Sequence, residues 1–234
     1  MFSDCSRDGR PIYCDTVISE QRRTAIRACA ASHQALDASL VDLTNDEALR
    51  PSMLPGWSVA HDLTHIARNA DGLGRLFDAA LRGEVAAMYA GGREGRDADI
   101  AAGASRSATE LVDDVHASSA RLDARFAAVD PDDPVWSGRG SMIAGEISIG
   151  DLPVRRRGEV EIHRVDLGLG YGFSDWPADF LRSELNRQTG VWASRKPMGF
   201  ADLPPAALAL GPAARYAWLI GRLDVDGLAP AGIF

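Results

Sequence analysis

The chain has 234 residues, 46% hydrophobic and 25% charged; these are globular proportions, with length enough for a buried core that needs no disulfide or structural metal to hold it. A formal net charge of -8 argues against a general nucleic-acid binder, which needs a basic face for phosphates. No stretch approaches the roughly 20 apolar residues of a membrane span, and nothing before Thr16 has the apolar core of a signal peptide.

Residues 1–15, mixing Ser, Asp, Gly, Arg and Pro, read as a loose arm. Cys5, Cys14 and Cys29 are sparse, odd in number and form no CxxC pair. That usage fits a reducing compartment, so the expected location is cytoplasmic. From Val17 to Leu43 the positions Ile18, Ala25, Ala28, Cys29, Leu36, Leu40 and Leu43 recur mostly at three- and four-residue steps, the period of an amphipathic helix. Pro51, Pro55 and Gly56 then break the chain.

Ser58 is a good N-cap for a helix over 59–81, with Leu63, Ile66, Ala70, Leu73, Phe77 and Ala80 as its apolar stripe. Gly72 and Gly74 lower its propensity and leave room for close packing. The segment 83–103, with Gly91-Gly92 and many charges, reads as an excursion between helices, long enough to cover a cleft. A further helix is expected from about Ala108 to Val129, carrying Leu111, Val115, Ser118, Leu122 and Phe126 on one side. The Pro-, Gly- and Asp-rich stretch 130–151 reads as a connection. Another helix begins near Pro153, bears Val160, Val165, Leu167 and Leu169, and stops at Gly168, Gly170 and Gly172. With no clear alternating strands before Ile147, a mainly α protein built on a four-helix bundle is the economical solution. The division expected is a bundle over 1–171 and a small C-terminal domain over 172–234. In the latter a helix opens at Pro177, Pro197 to Ala209 is mixed, and a short helix runs from Pro212 to Arg222.

Two of the five histidines, His61 and His65, lie one turn apart on the helix over 59–81, and Glu159 and His163 lie one turn apart on the helix near Pro153. Such pairs point from one face. Two imidazoles and a carboxylate, His65, Glu159 and His163, suit Zn²⁺ or another borderline divalent ion with a position left open. The competing reading is a surface Glu–His pair, and spacing does not prove that the two helices meet. Asp166 is either an orienting partner for a ligand or a surface cap for Arg164 or Arg156. Asn69 is equally ambiguous, and His61 is a polar neighbour of the site or a helix-start histidine. The run Arg155-Arg156-Arg157 is a local basic patch for a small anion or a solvated helix start. Arg222, in Trp218-Leu-Ile-Gly-Arg222, has the planar fork that suits a carboxylate, or is solvated.

Several stretches together resemble the mycothiol-dependent maleylpyruvate isomerase family, a branch of the DinB-like helical bundles. They are Leu54-Pro-Gly-Trp57, His61 followed by Thr64-His65-Ile-Ala-Arg-Asn69-Ala70, Met88-Tyr89, Arg96-Asp-Ala-Asp99-Ile100, and the run from Arg157 through Glu159, His163 and Asp166 to Gly168. The resemblance covers most of the chain with the motifs in order. It implies a DinB-like four-helix bundle followed by a small α/β (α+β) domain, with the metal ligands on His65, Glu159 and His163 and a functionally important arginine on Arg222. It implies Zn²⁺ and the low-molecular-weight thiol mycothiol as cofactors, with maleylpyruvate turned into fumarylpyruvate. The implied partners are a small dicarboxylate or other electrophile and a thiol; the thiol-binding residues are not indicated, and oligomeric state is open. Transfer of the thiol to another electrophile, metal-dependent hydrolysis, and a non-catalytic metal staple remain alternatives. Two departures from the family stand out: the stretch from Pro197 to Pro212 is rich in Ala and Pro where the family has clearer strands, and Gly158 precedes the ligand glutamate.

Overall fold

The computed structural model describes residues 12–195 and 202–231. They form two compact units, one ending at Leu169 and one beginning at Gly170. The first contains α1 (Ile12–Ser39), α2 (Asn45–Leu49), α3 (Val59–Leu81), α4 (Gly92–Gly103), α5 (Ala108–Ala127), a hairpin of β1 (Arg139–Met142) and β2 (Gly145–Ser148), and α6 (Leu152–Asp166). The second contains α7 (Ala178–Ser194), α8 (Pro205–Ala209) and α9 (Pro212–Leu219). The architecture is mainly α, a DinB-like bundle with a small following domain. The arm expected over 1–15 lies outside the described residues except where 12–15 open α1, and so does the first part of the mixed stretch after Lys196.

Helix α3 lies at the centre of the bundle because its sequence is apolar over an unusually wide face. Leu63, Ile66, Leu73 and Phe77 are wholly buried, and α3 packs along α4, α5 and α6 while α1 closes the bundle against α5 and α6. Its start is set locally. Gly56, at φ +80°, turns the chain in a conformation a side chain would resist. Ser58 then accepts the His61 amide, and the His61 side chain returns to the Ser58 backbone in a reciprocal cap. At the far end Phe77, Phe126 and Trp136 meet with ring centres 5.0 to 6.0 Å apart. Burying each such ring stabilises the fold by roughly 1.5–3 kcal/mol.

Both glycines in the middle of α3 face a neighbour. A Cβ at Gly72 would stand 2.8 Å from Met88 Cγ, and one at Gly74 would touch the Arg125 guanidinium at 3.4 Å. Gly72 therefore sets how closely the chain after α3 can approach. That chain is extended: Met88 donates to the Ser141 carbonyl at 2.8 Å and Ser141 to the Ala86 carbonyl at 2.9 Å. Tyr89 and α4 are thereby fixed beside the bundle.

Two segments differ from the sequence expectation. The excursion over 83–103 contains helix α4, whose glycines hide a helical period but whose Ile100 is buried. Gly103 seats it on α3, since a Cβ there would lie 2.4 Å from Thr64 Cγ2. The connection over 130–151 contains the β1–β2 hairpin, paired from Arg139–Ser148 to Met142–Gly145. Four-residue strands are too short for alternation to register, and Gly140 is needed because a Cβ would stand 3.0 Å from Leu76 Cδ1. At Gly158, by contrast, a Cβ would meet nothing within 4 Å.

The second unit is held by Trp192, Leu203, Ala207, Trp218 and Leu219, with Trp176, Phe180 and Tyr216 in ring contact. Its described residues are helical with one antiparallel bridge, Val225 to Leu228. Gly221, at φ +68°, ends α9, and the Arg222 amide returns to the Ala217 carbonyl at 2.8 Å.

Candidate metal centre

Helices α3 and α6 each present a polar residue where an apolar stripe would continue, and the two meet. His65 Nε2 lies 3.1 Å from His163 Nε2 and 3.2 Å from Glu159 Oε2, while His163 Nε2 lies 3.7 Å from the same carboxylate oxygen. The structure thus brings together all three ligands expected from the sequence. His65 and His163 are buried, and about a third of the Glu159 side chain (34%) still meets solvent, so the cluster opens on the glutamate side.

The donor set fits a divalent ion. Ligands about 2.0–2.1 Å from a tetrahedral zinc stand about 3.3–3.4 Å from one another, close to the three separations observed. The protons make the same point. His163 is flanked by two buried carboxylates, with Nδ1 at 2.8 Å from Asp62 Oδ1 and 3.1 Å from Asp166 Oδ2. These favour a proton on Nδ1 and leave Nε2 as the nitrogen that faces His65, the usual support for a ligating imidazole.

Electrostatics follow the same layout. Burial favours the neutral His163 ring, but the Asp62 charge and hydrogen bonds to Asp166 and Asp62 outweigh it and raise the imidazole to about 10. Burial and the His163 charge push His65 below its ordinary value, against the pull of Glu159. Burial alone would raise the Glu159 carboxyl; the His65 hydrogen bond and the charges of His65, His163 and Arg156 instead hold it at about 2. Cation binding would release the His163 proton.

Arg156 is not part of a surface patch. It is fully buried and donates to His33 Nε2 at 2.9 Å, the Ile66 carbonyl at 2.8 Å and Asn69 Oδ1 at 2.9 Å. It thereby fixes α6 to α1 and α3 one turn before Glu159, and it accounts for Asn69. Asp166 is the orienting partner of His163, and His61 is the helix-start histidine. Asp62 was not anticipated, although it stands three residues before His65 on the same buried face.

Around the mouth, the Trp57 ring stands edge-on to His65 with centres 5.7 Å apart. The Arg96 guanidinium lies 5.7 Å over Trp57 and 3.2 Å from His65 Nδ1. Tyr89 accepts from Arg96; burial and the Glu159 charge raise its phenol.

A second cluster, Cys29, His33 and Asp123, also has ligand atoms close enough to share an ion. There His33 Nδ1 pairs with Asp123 at 2.9 Å and Nε2 accepts from Arg156. Burial raises the Cys29 thiol to about 12. With both ring nitrogens engaged and a fixed cation alongside, this is a structural network. Arg222 lies in the second unit, partly buried, with Nη1 3.4 Å from the Ile220 carbonyl.

A four-helix bundle with two histidines and a glutamate converging from facing helices defines the DinB-like class. Residues 29–168 match the family model of the mycothiol maleylpyruvate isomerase N-terminal domain. A crystal structure of the mycothiol-dependent maleylpyruvate isomerase aligns over 87% of this chain and 89% of its own, at 27% identity and a TM-score of 0.72. That of a histidine-to-alanine mutant aligns over 76% and 72%, at 30% identity and a TM-score of 0.66. A search of curated proteins gives no match. The chain belongs to the mycothiol-dependent maleylpyruvate isomerase family.

Proposed function

We propose that this protein is a zinc- and mycothiol-dependent cis–trans isomerase that converts maleylpyruvate to fumarylpyruvate, with His65, Glu159 and His163 as the zinc ligands. The observation that carries the reading is the convergence of two imidazole Nε2 atoms and one carboxylate oxygen, 3.1 to 3.7 Å apart, in a member of this family. A divalent ion held there supplies Lewis acidity, which lowers the pKa of a thiol or water in its open position. Isomerising a carbon–carbon double bond requires transient single-bond character, which reversible thiol addition provides without consuming the thiol.

The chain's own residues prepare the site. Asp62 and Asp166 keep a proton on Nδ1 of His163, so that Nε2 is the nitrogen that would give up its proton to a cation. Glu159 stays ionised over the working pH range, and Arg156 holds its helix in register. Trp57 packs edge-on against His65. We assign Arg222 a carboxylate-binding role, supported by its planar fork and by the family resemblance. The functional division proposed is a metal-binding bundle over 1–171 and a substrate-assisting domain over 172–234, acting in a reducing cytoplasm that suits the buried Cys29 thiol.

The test is an NMR assay of maleylpyruvate with zinc-loaded protein, run with and without mycothiol. Fumarylpyruvate is expected only when the thiol is present. No conversion by protein holding one zinc would contradict the isomerase reading and shift the weight to thiol transfer onto another electrophile.

A further inference from the structure

We propose that Arg96 is the residue of the bundle that captures a substrate carboxylate beside the metal ligands, an inference that rests on the isomerase reading above. Arg96 comes from α4, and its side chain is 19% exposed. Its guanidinium carbon sits 5.7 Å from the Trp57 ring centre, a cation–π placement that keeps the cation at the pocket mouth. One end of the fork meets Asp97 at 2.7 Å. The other end lies 3.2 Å from His65 Nδ1.

This second contact is the informative one. It places a guanidinium against one of the three converging side chains, on a residue that still meets solvent. Tyr89 also accepts from Arg96, so the cation is held beside the cluster by partners that an incoming carboxylate can share.

The neighbours support an anion-binding role. Glu159, Asp62 and Asp166 place negative charge around His163, and a dicarboxylate approaching that cluster needs an opposing cation. Arginine presents two parallel donors that match a carboxylate. Asp97, whose side chain is 55% exposed, occupies one edge of the fork as an internal carboxylate. Exposed pairs of this kind are weak, so a substrate carboxylate can replace it.

The experiment is calorimetric titration of maleate, a non-reacting cis-dicarboxylate, into zinc-loaded wild type, Arg96→Gln, Arg96→Lys and Asp97→Asn, with zinc content measured on each sample. The expected result is full zinc in all four. Maleate binding should weaken about tenfold or more in Arg96→Gln, the size of one charge-assisted hydrogen bond, and weaken less in Arg96→Lys. It should be equal or tighter in Asp97→Asn. Zinc-loaded Arg96→Gln that binds maleate as tightly as wild type would overturn the assignment of Arg96 and leave the metal site standing. Wild type that fails to hold zinc would overturn the isomerase reading, and this inference with it.

Discussion

Asp62 is the residue whose replacement tests the electrostatics of the centre most sharply. It is wholly buried, and its carboxylate lies 2.8 Å from His163 Nδ1. A rise of the imidazole from 6.5 to about 10 corresponds to about 5 kcal/mol of preference for the protonated ring. Asp62, Asp166 and Glu159 together produce it against burial. Asp62→Asn keeps the shape and removes the leading favourable charge, while Asp166 remains at 3.1 Å. Zinc affinity should fall about 10- to 100-fold, the usual effect of losing a carboxylate behind a ligating histidine. The number of protons released on zinc binding should fall as well. In wild type at pH 8 nearly one proton should leave His163; in Asp62→Asn the ring is already partly neutral and fewer should leave. Chelator competition gives the affinity, and calorimetry in two buffers of different ionisation enthalpy gives the proton count. Circular dichroism checks that the variant folds. Unchanged affinity together with an unchanged proton count would refute the reasoning.

Other consequences follow from the same geometry. In the metal-free protein His163 is raised above its unfolded value, so its contribution to stability is full below about pH 6.5 and is lost as pH rises through about 10. Glu159 is depressed, so its contribution is present above about pH 4.5 and is lost as pH falls toward about 2. Urea midpoints of the metal-free protein should therefore decline on both sides of the interval between, and a flat profile would count against both. Arg156→Met removes a fully buried cation with partners on three helices; breaking such a network should cost about 3–5 kcal/mol in urea unfolding, and a loss under 1 kcal/mol would show that α6 is held by packing alone. Gly103→Ala forces a Cβ to 2.4 Å from Thr64 Cγ2. Thr64 is short, buried and hydrogen-bonded to the Ala60 carbonyl at 2.8 Å, so it cannot swing away. Overpacking of about 1–3 kcal/mol is expected, and an unchanged melting temperature would mean that α4 shifts freely.

The helices of the bundle were legible because each carries its own local signals. The Ser58 cap, the stripe from Leu63 to Phe77 and the run from Leu111 to Phe126 all appear in the structure as read, with those apolar residues buried. Helix α4 was not, since its register rests on one large apolar residue, Ile100, among glycines, alanines and charges. The three proposed ligands were visible as paired one-turn spacings, but the sequence could not say that α3 meets α6. A sharper signal was present. Asp62, His65, Ile66 and Asn69 share one face of α3, and Arg156, Glu159, Val160 and His163 share one face of α6 at the same steps. Polar residues inside an apolar stripe must find partners when buried, and these two sets find each other. Grouping Arg156 with its neighbours Arg155 and Arg157, as a charge run, hid its place on that face. Arg96 gave no such signal, because its role depends on Trp57 and His65 being beside it in space.

The central claim is that His65, Glu159 and His163 hold one zinc with a position open to a thiol, and zinc X-ray absorption on protein loaded with one equivalent tests it most directly. Without thiol, the account predicts a shell of nitrogen and oxygen neighbours at about 2.0–2.2 Å with two imidazoles, and one sulfur neighbour at about 2.3 Å once mycothiol is added. A sulfur neighbour before any thiol is added, or a shell that mycothiol leaves unchanged, would contradict it.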